Sequence, residues 1–291
     1  MKLCAHAPAK INLFLDVGPV APSGYHPICS VMQTVSLYDT IIVETGAQPG
    51  IVLECPGSSL PCNSKNLAYR AAQAFFDESK IKNTGITITV EKQIPVASGL
   101  AGGSTDAGAV LLLLNQLFNK PLSKDRLLQI GSNLGADIPF CMTGGTALCS
   151  GIGDVLYPLP AMNPYTVVIV RGGADVSTAA AYGMLDKKYG MHMPGMPEKW
   201  EKLGKEGFAY SSENEFYNIF ESVILPRHKE AAAYKTILEN AGAHVAMMSG
   251  SGPAVFGLYD NENDAKIAAT KLEQAGAGAY ICKTCNGVQI I

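Results

Sequence analysis

Pro95-Val96-Ala97-Ser98-Gly99-Leu100-Ala101-Gly102-Gly103-Ser104-Thr105-Asp106-Ala107-Gly108 is a glycine-rich run set between a strand pattern and a helix pattern. Before it, Ile86, Ile88 and Val90 alternate with Thr87, Thr89 and Glu91, the period of a half-buried strand. After it, Ser104 to Phe118 is apolar nearly all round, which predicts a buried helix that ends at Lys120-Pro121. Glycines let backbone approach phosphate oxygens with no Cβ in the way, so several N–H groups can converge on one anion. The start of the following helix offers its positive dipole end to the same charge. Ser104 and Thr105, in the first turn, can add hydroxyls to a phosphate or a magnesium ion. The run lacks the Gly-Lys-Ser/Thr ending of a Walker loop, and the chain lacks the His-Arg-Asp and Asp-Phe-Gly triplets of protein kinases. A dinucleotide fold needs an acidic residue at a strand end about 20 residues on. Asp125, the nearest, falls inside a second helix pattern. A merely flexible glycine turn explains neither the flanking strand and helix nor the two hydroxyls. The run is read as a phosphate-binding loop.

Outward from the loop, residues 1–158 alternate strand and helix patterns. Ile11, Leu13, Leu15 and Val17 share one strand face, and Lys10, Asn12 and Asp16 the other. Thr40 to Glu44 and Ile51 to Glu54 read as strands around a Gln-Pro-Gly turn. Asn66 and Ser123 are N-caps of two helices, the second stopping at Gly135. A proline-rich stretch from Tyr157 to Pro164 marks a domain boundary, giving expected domains of 1–158 and 159–291. Beyond it come a strand over Thr166 to Arg171, a helix capped by Ser177 and an irregular loop over Met191 to Pro197. Helical stretches follow over Glu215 to Ile224 and Lys229 to Ala241. A hairpin pairs Ala243–Met248 with Ala254–Tyr259, then come a helix over Glu262 to Gln274 and a strand near Tyr280. Without the extra helices the order is β-α-β-β-α-β, the ferredoxin-like split pattern.

Composition fits an α+β enzyme. Hydrophobic residues make up 47% and charged residues 16% of 291, with a net charge of −3 and no Lys/Arg block. These figures give no electrostatic footprint for nucleic acid. The longest strictly apolar run, Val110 to Leu114, falls far short of a membrane span. No secretion or transit signal is read at Met1 to Lys10, so the expected location is cytoplasmic and the eight cysteines are expected as free thiols. Cys282-Lys-Thr-Cys285 is a lone CxxC without the second pair that a structural zinc site needs.

Three further segments can carry chemistry. In Gly135-Ala-Asp137-Ile-Pro139-Phe140 the aspartate stands where a helix ends and an apolar strand is expected; it is either a turn residue or a base in a partly apolar site. In Pro8-Ala-Lys10-Ile-Asn12-Leu13 the lysine is either solvated or a placed cation. In Gly24-Tyr25-His26 the two rings either stack on a base and read its edge or form an ordinary turn.

Together these segments resemble the GHMP small-molecule kinases (galactose, homoserine, mevalonate and phosphomevalonate kinases). The loop nearly matches that family's P-x-x-x-G-L-x-x-S-S/T-x-A, with one more residue between Leu100 and the hydroxyl pair. Asn66-Leu67 and Met248-Ser-Gly-Ser-Gly-Pro253 extend the match to most of the chain. The Gly-Tyr-His and Gly-Ala-Asp-Ile-Pro-Phe segments resemble the branch that phosphorylates a cytidine diphosphate-linked methylerythritol. The resemblance implies a two-domain fold, with a ribosomal-protein-S5-like first domain and a ferredoxin-like second one. It also implies direct in-line transfer from ATP with Mg2+, on a monomer or homodimer whose partner is a small-molecule substrate. Asp137 would be the base, with Lys10 beside it to hold it charged and to stabilise the alkoxide. Pro95 to Thr105 would hold the ATP phosphates, with Asn66, Leu67 and Lys92 near the nucleotide. Tyr25 would stack on cytosine, His26 would bond its edge, Tyr182 would close its other face, and Asn12 would approach the substrate. Another kinase of this family, or a catalytically silent nucleotide sensor, is the alternative. Two positions depart from the pattern: Ser23 replaces an Asp, and Tyr217-Asn-Ile-Phe220 replaces Asn-Asp-Leu.

Overall fold

The computed structural model describes residues 1–46, 49–190 and 215–291. The loop expected over Met191 to Pro197 lies outside the described residues. Strand β1 (Lys2–Val17) is the axis of the molecule, and every residue from Ala7 to Val17 is buried. Its apolar face does double service. Ala5 and Ala7 pack under the helices, whereas Ala9, Ile11 and Leu13 pack against a second sheet. Bulges between Pro8 and Ala9 and between Asn12 and Phe14 separate these stretches, where pairing with β2 (Ile28–Thr45) shifts register. A bulge bends a strand and re-aims its side chains.

The pattern before the glycine loop is strand β4 (Ile86–Glu91), with Ile86, Ile88 and Val90 buried. β3 (Ile51–Glu54) does not pair with β2 across the expected turn; it lies parallel to β4, which stands between them. The first sheet runs β12-β1-β2-β4-β3. β5 (Thr146–Ser150) pairs with β2, and β6 (Val155–Pro158) pairs with β5. Two short strands from beyond the proline-rich stretch return to this sheet: β8 (Tyr217–Asn218) beside Phe14-Leu15, and β12 (Gln289–Ile290) beside Ala5-His6. Neither was legible as a strand, and the helix expected over Glu215 to Ile224 shrinks to α6 (Glu221–Ile224).

Helices α1 (Leu67–Ser79), α2 (Gly102–Leu117) and α3 (Lys124–Leu134) cover one face of the sheet. The expected caps are in place: Asn66 Oδ1 accepts from Ala68 N at 2.9 Å, and Ser123 Oγ accepts from Arg126 N at 3.3 Å. After Gly135 the expected strand is instead a helix, α4 (Ile138–Thr143). Short apolar runs do not distinguish strand from helix, and a proline in the first turn favours the helix.

The second sheet has the order β11-β7-β10-β9, all antiparallel, built from β7 (Thr166–Arg171), β9 (Val245–Met248), β10 (Ala254–Tyr259) and β11 (Ala279–Lys283). α7 (Lys229–Asn240) and α8 (Glu262–Gln274) pack on it, giving the ferredoxin-like layout, while α5 (Thr178–Tyr189) packs near the end of β1. No helix among the described residues is long and apolar enough to cross a membrane.

The glycine loop is the seam between the two sheets. Lys10 N donates to Leu100 O at 3.1 Å, and Ala254 N donates to Ser98 O at 3.0 Å. Gly99 has a φ of +84°, and a Cβ there would lie 2.2 Å from Ser249 O. Gly99→Ala adds overpacking to a left-handed backbone and is expected to cost about 3 kcal/mol or more. Urea denaturation measures this; an unchanged midpoint would contradict the close approach.

Candidate active site

A cleft of about 650 Å³ opens where the seam reaches the surface. From β1 it takes Lys10 and Asn12, which are 4% and 1% exposed. Burying an ammonium is costly unless it is paired or hydrogen-bonded. Lys10 Nζ donates to Asn12 Oδ1 at 2.7 Å, and Asp137 Oδ2 lies 4.0 Å away. Asn12 is held in one orientation. Ser30 Oγ gives its proton to Phe14 O at 2.7 Å, so it accepts from Asn12 Nδ2 at 2.8 Å. That leaves Asn12 Oδ1 facing Lys10, and it also accepts from Gly250 N at 2.9 Å.

The turn after β9 is fixed from three sides. Ser249 Oγ donates to Gly99 O at 3.0 Å. Asn218 Nδ2 donates to Met248 O at 2.7 Å and Gly250 O at 2.9 Å, while its Oδ1 accepts from Phe220 N at 3.0 Å. Thr178 and Ser251, both lining the cleft, share a hydroxyl hydrogen bond of 3.0 Å. Nothing in the sequence pattern marked Ser30, and Ser249 and Asn218 stood only inside longer segments with no role given to either, because a polar group's long-range partner leaves no periodicity. The segment at Tyr217 to Phe220 had been noted only for what it lacks, yet Asn218 ties β8 to the turn after β9.

At the other end of the cleft, Lys92 donates to Asp39 Oδ2 and, at 2.8 Å, to Asp106 Oδ2. Asp39 Oδ1 also accepts from Gln93 N and Ile94 N at 2.6 and 2.9 Å, which turns the chain into the glycine loop. Burial pushes the Asp106 carboxyl well above the usual carboxylate range; Lys92 opposes that shift and Asp39 adds to it. Burial works against the Lys92 ammonium, but Asp106 and Asp39 outweigh it and raise its pKa. Asp106 Oδ1 and Thr105 Oγ1 are buried without a hydrogen-bond partner.

The structure brings most of the expected residues to this cleft. Pro95 to Gly99, Ala101 to Ser104, Asn66, Leu67, Lys92, Asp137 and Tyr182 all line it. Leu100 and Thr105 are both fully buried and do not, which corrects the expectation for their side chains. Neighbouring positions on a helix point about 100° apart, so Ser104 facing the cleft turns Thr105 into the core. Tyr25 is 63% exposed and lines no part of the cleft, so the expected Tyr25/Tyr182 sandwich is not formed. Tyr182 instead stacks on His26, with centroids 4.9 Å apart, and meets Phe220 edge-on. His26 Nδ1 lies 2.8 Å from Gly18 O; a carbonyl only accepts, so the proton sits on Nδ1.

Because Asp106 holds its proton to higher pH in the folded protein than in the unfolded chain, raising the pH from about 5 to about 8 should reduce stability. Here the unfolded chain binds fewer protons, so the sign is negative, with a ceiling of about 1.4 kcal/mol per pH unit. Asp106→Asn should flatten that slope in chemical denaturation run across the range. Parallel slopes for the two proteins would contradict the shift.

Comparisons with known proteins agree with this arrangement. Residues 66–145 match the family model described as GHMP kinases N terminal domain, and residues 201–278 match GHMP kinases C terminal. A 4-diphosphocytidyl-2-C-methyl-D-erythritol kinase of Caldicellulosiruptor bescii is 39% identical over 287 residues, covering 99% of each chain. That of Synechocystis sp. is 38% identical, covering 98% of each. A crystal structure of 4-(cytidine 5'-diphospho)-2C-methyl-D-erythritol kinase superposes with a TM-score of 0.80 at 31% identity, covering 99% of this chain and 100% of that one. A homoserine kinase of Cytophaga hutchinsonii shares the fold, with a TM-score of 0.72 at 20% identity over 100% of this chain and 97% of its own.

Proposed function

The chain belongs to the 4-diphosphocytidyl-2-C-methyl-D-erythritol kinases, a branch of the GHMP kinases, and from that premise we propose how its cleft transfers a phosphoryl group. It is a phosphotransferase with an alcohol acceptor, acting in the non-mevalonate route to isoprenoid precursors. The reaction moves the γ-phosphoryl of ATP to the 2-hydroxyl of 4-diphosphocytidyl-2-C-methyl-D-erythritol. The observation that carries the site assignment is the Lys10–Asp137 pair, 4.0 Å apart in the cleft that the glycine loop also lines.

Asp137 takes the proton of the attacking hydroxyl. The freed oxygen forms its bond to the γ-phosphorus as the bond to the β,γ-bridging oxygen breaks, and ADP leaves with that oxygen. Lys10, held by Asn12, offers its charge to the developing alkoxide without needing to reorganise. Phosphoryl transfer asks for positioning and neutralisation more than covalent chemistry, and a rigid cation and base answer that need. The N–H groups at the start of α2 and the Ser104 hydroxyl cradle the phosphates, with Asn66, Leu67 and Lys92 beside the nucleotide.

A hard cation fits at the foot of the loop, because the buried Asp106 Oδ1 has no partner there and Asp106 lines the cleft. Ser104 and Asp106 would hold Mg2+ together with the phosphates, and the ion would neutralise charge on the transferring group. The stack of His26 on Tyr182 supports an aromatic site for cytosine, and His26 would meet the base edge through Nε2, which lies 3.5 Å from Asp186 Oδ2. Tyr25 would complete that site from its exposed position.

Asp137→Ala is expected to lower kcat by about 10²- to 10⁴-fold while leaving the KM for ATP within a few-fold. A coupled ADP-release assay with this acceptor measures both. Undiminished turnover in the variant, or a wild type inactive on this acceptor, would overturn the reading.

A further inference from the structure

The segment joining β3 to α1 is one rim of the cleft: Leu60, Pro61, Lys65 and Asn66 all line it. Its base is closed by two cysteines that the phosphoryl-transfer chemistry leaves unused. Cys55 is 8% exposed, Cys62 is the one exposed cysteine of the eight, and both are free thiols. The Cys62 thiol lies near the Cys55 thiol and, after burial, is the main influence raising its pKa, and Asn66 Nδ2, bonded to both Cys55 Sγ and Pro61 O, holds the two ends of the loop together. The loop between them is fastened by local bonds: Ser58 N donates to Cys55 O at 3.1 Å, and Cys62 Sγ donates to Leu60 O at 3.7 Å. Asn66 connects this loop to the helix behind it. Its Nδ2 donates to Pro61 O at 3.0 Å and to Cys55 Sγ at 3.9 Å, while its Oδ1 caps α1.

We propose that Cys55 and Cys62 form a redox-modified pair, converted by a low-molecular-weight disulfide into an intramolecular disulfide that reshapes the nucleotide rim of the cleft. This rests on the reading of the cleft as an ATP site. The order of steps follows from exposure. The Cys62 thiolate attacks one sulfur of the small disulfide, expelling one small thiol and leaving a mixed disulfide on Cys62. Cys55 then loses its proton to solvent and attacks Cys62 Sγ, expelling the second small thiol. Two protein thiols are oxidised and one small disulfide is reduced to two thiols, so electrons and protons balance. Cys55 suits the resolving role: burial, the neighbouring Cys62 thiol and the nearby Asp106 push its thiol up to about 11. It therefore reacts only once a disulfide is placed against it.

The geometric consequence falls on the rim. An S–S bond of about 2.05 Å is much shorter than any non-bonded contact between sulfurs, so closure draws residues 60–62 toward the end of β3. Leu60 and Pro61 move with it, and the Asn66 amide loses its fit to both Pro61 O and Cys55 Sγ. Asp137 and Lys10 lie on other elements and keep their places.

The test is to incubate the full chain with glutathione disulfide, then measure intact mass, map the peptides and determine ATP kinetics at saturating acceptor. The expected result is loss of two hydrogens, a Cys55–Cys62 crosslinked peptide, and an ATP KM raised at least about fivefold with kcat nearly unchanged. Dithiothreitol should reverse it, and Cys62→Ser and Cys55→Ala should abolish it while retaining the activity of the reduced protein. A glutathione adduct that remains on Cys62, or a crosslink with unchanged ATP KM, would overturn the proposal. If the reduced protein proves inactive on the acceptor, the functional reading fails instead. ATP binding by calorimetry on reduced and oxidised protein then still decides the pair.

Discussion

A lysine ammonium with 4% exposure has to be held, and the cleft is arranged around holding Lys10. Its hydrogen-bond partner is the neutral amide of Asn12 rather than a carboxylate, and Asp137 stands just beyond hydrogen-bond range at 4.0 Å. A tight buried ion pair would have satisfied both charges and left little for a substrate. Here the cation is fixed by an amide that is itself fixed by Ser30 and Gly250, so orientation comes from neutral groups and the charge remains available to the cleft. β1, β2 and the turn after β9 each contribute one member. The buried cation therefore couples the two sheets more directly than their apolar contact does.

The opposite solution is used at Lys92. Its ammonium is given to two carboxylates, Asp39 and Asp106, and the trio ties the end of β2, the exit of β4 and the first turns of α2 together. The family resemblance implied a place for Lys92 beside the nucleotide. Its contacts give it a structural duty as well: it fixes where the loop begins. One lysine is held by a neutral amide and the other by two carboxylates, and only the contacts distinguish them.

What could be read from the sequence was what is local. The alternation of Ile86, Ile88 and Val90, the caps Asn66, Ser123 and Ser177, and the glycine loop between strand and helix all express short-range rules, and each is found as read. The failures share a cause. Ile138 to Met142 is an apolar run too short to carry a period, and it proved helical. Tyr217-Asn218 and Gln289-Ile290 are strands only because β1 offers them an edge. Ser104 and Thr105 looked equivalent in the sequence, but helical rotation sends one to the cleft and the other into the core. Ser30, Asn218 and Asp39 act through partners tens to hundreds of positions away, and no single stretch of sequence displays that.

The pairing of Gln289 with His6 also sets a timetable. As a ribosome delivers this chain, the edge of β1 beside Ala5 and His6 emerges long before the strand that covers it. Until then its unpaired N–H and C=O groups are open to any other extended chain. Closing so distant a contact is slow, because the loop entropy must be met before the pairing repays it. The newborn protein thus passes through a long interval in which the strand that bears the buried Lys10 also presents an open edge, and the demand for chaperones should be greatest then.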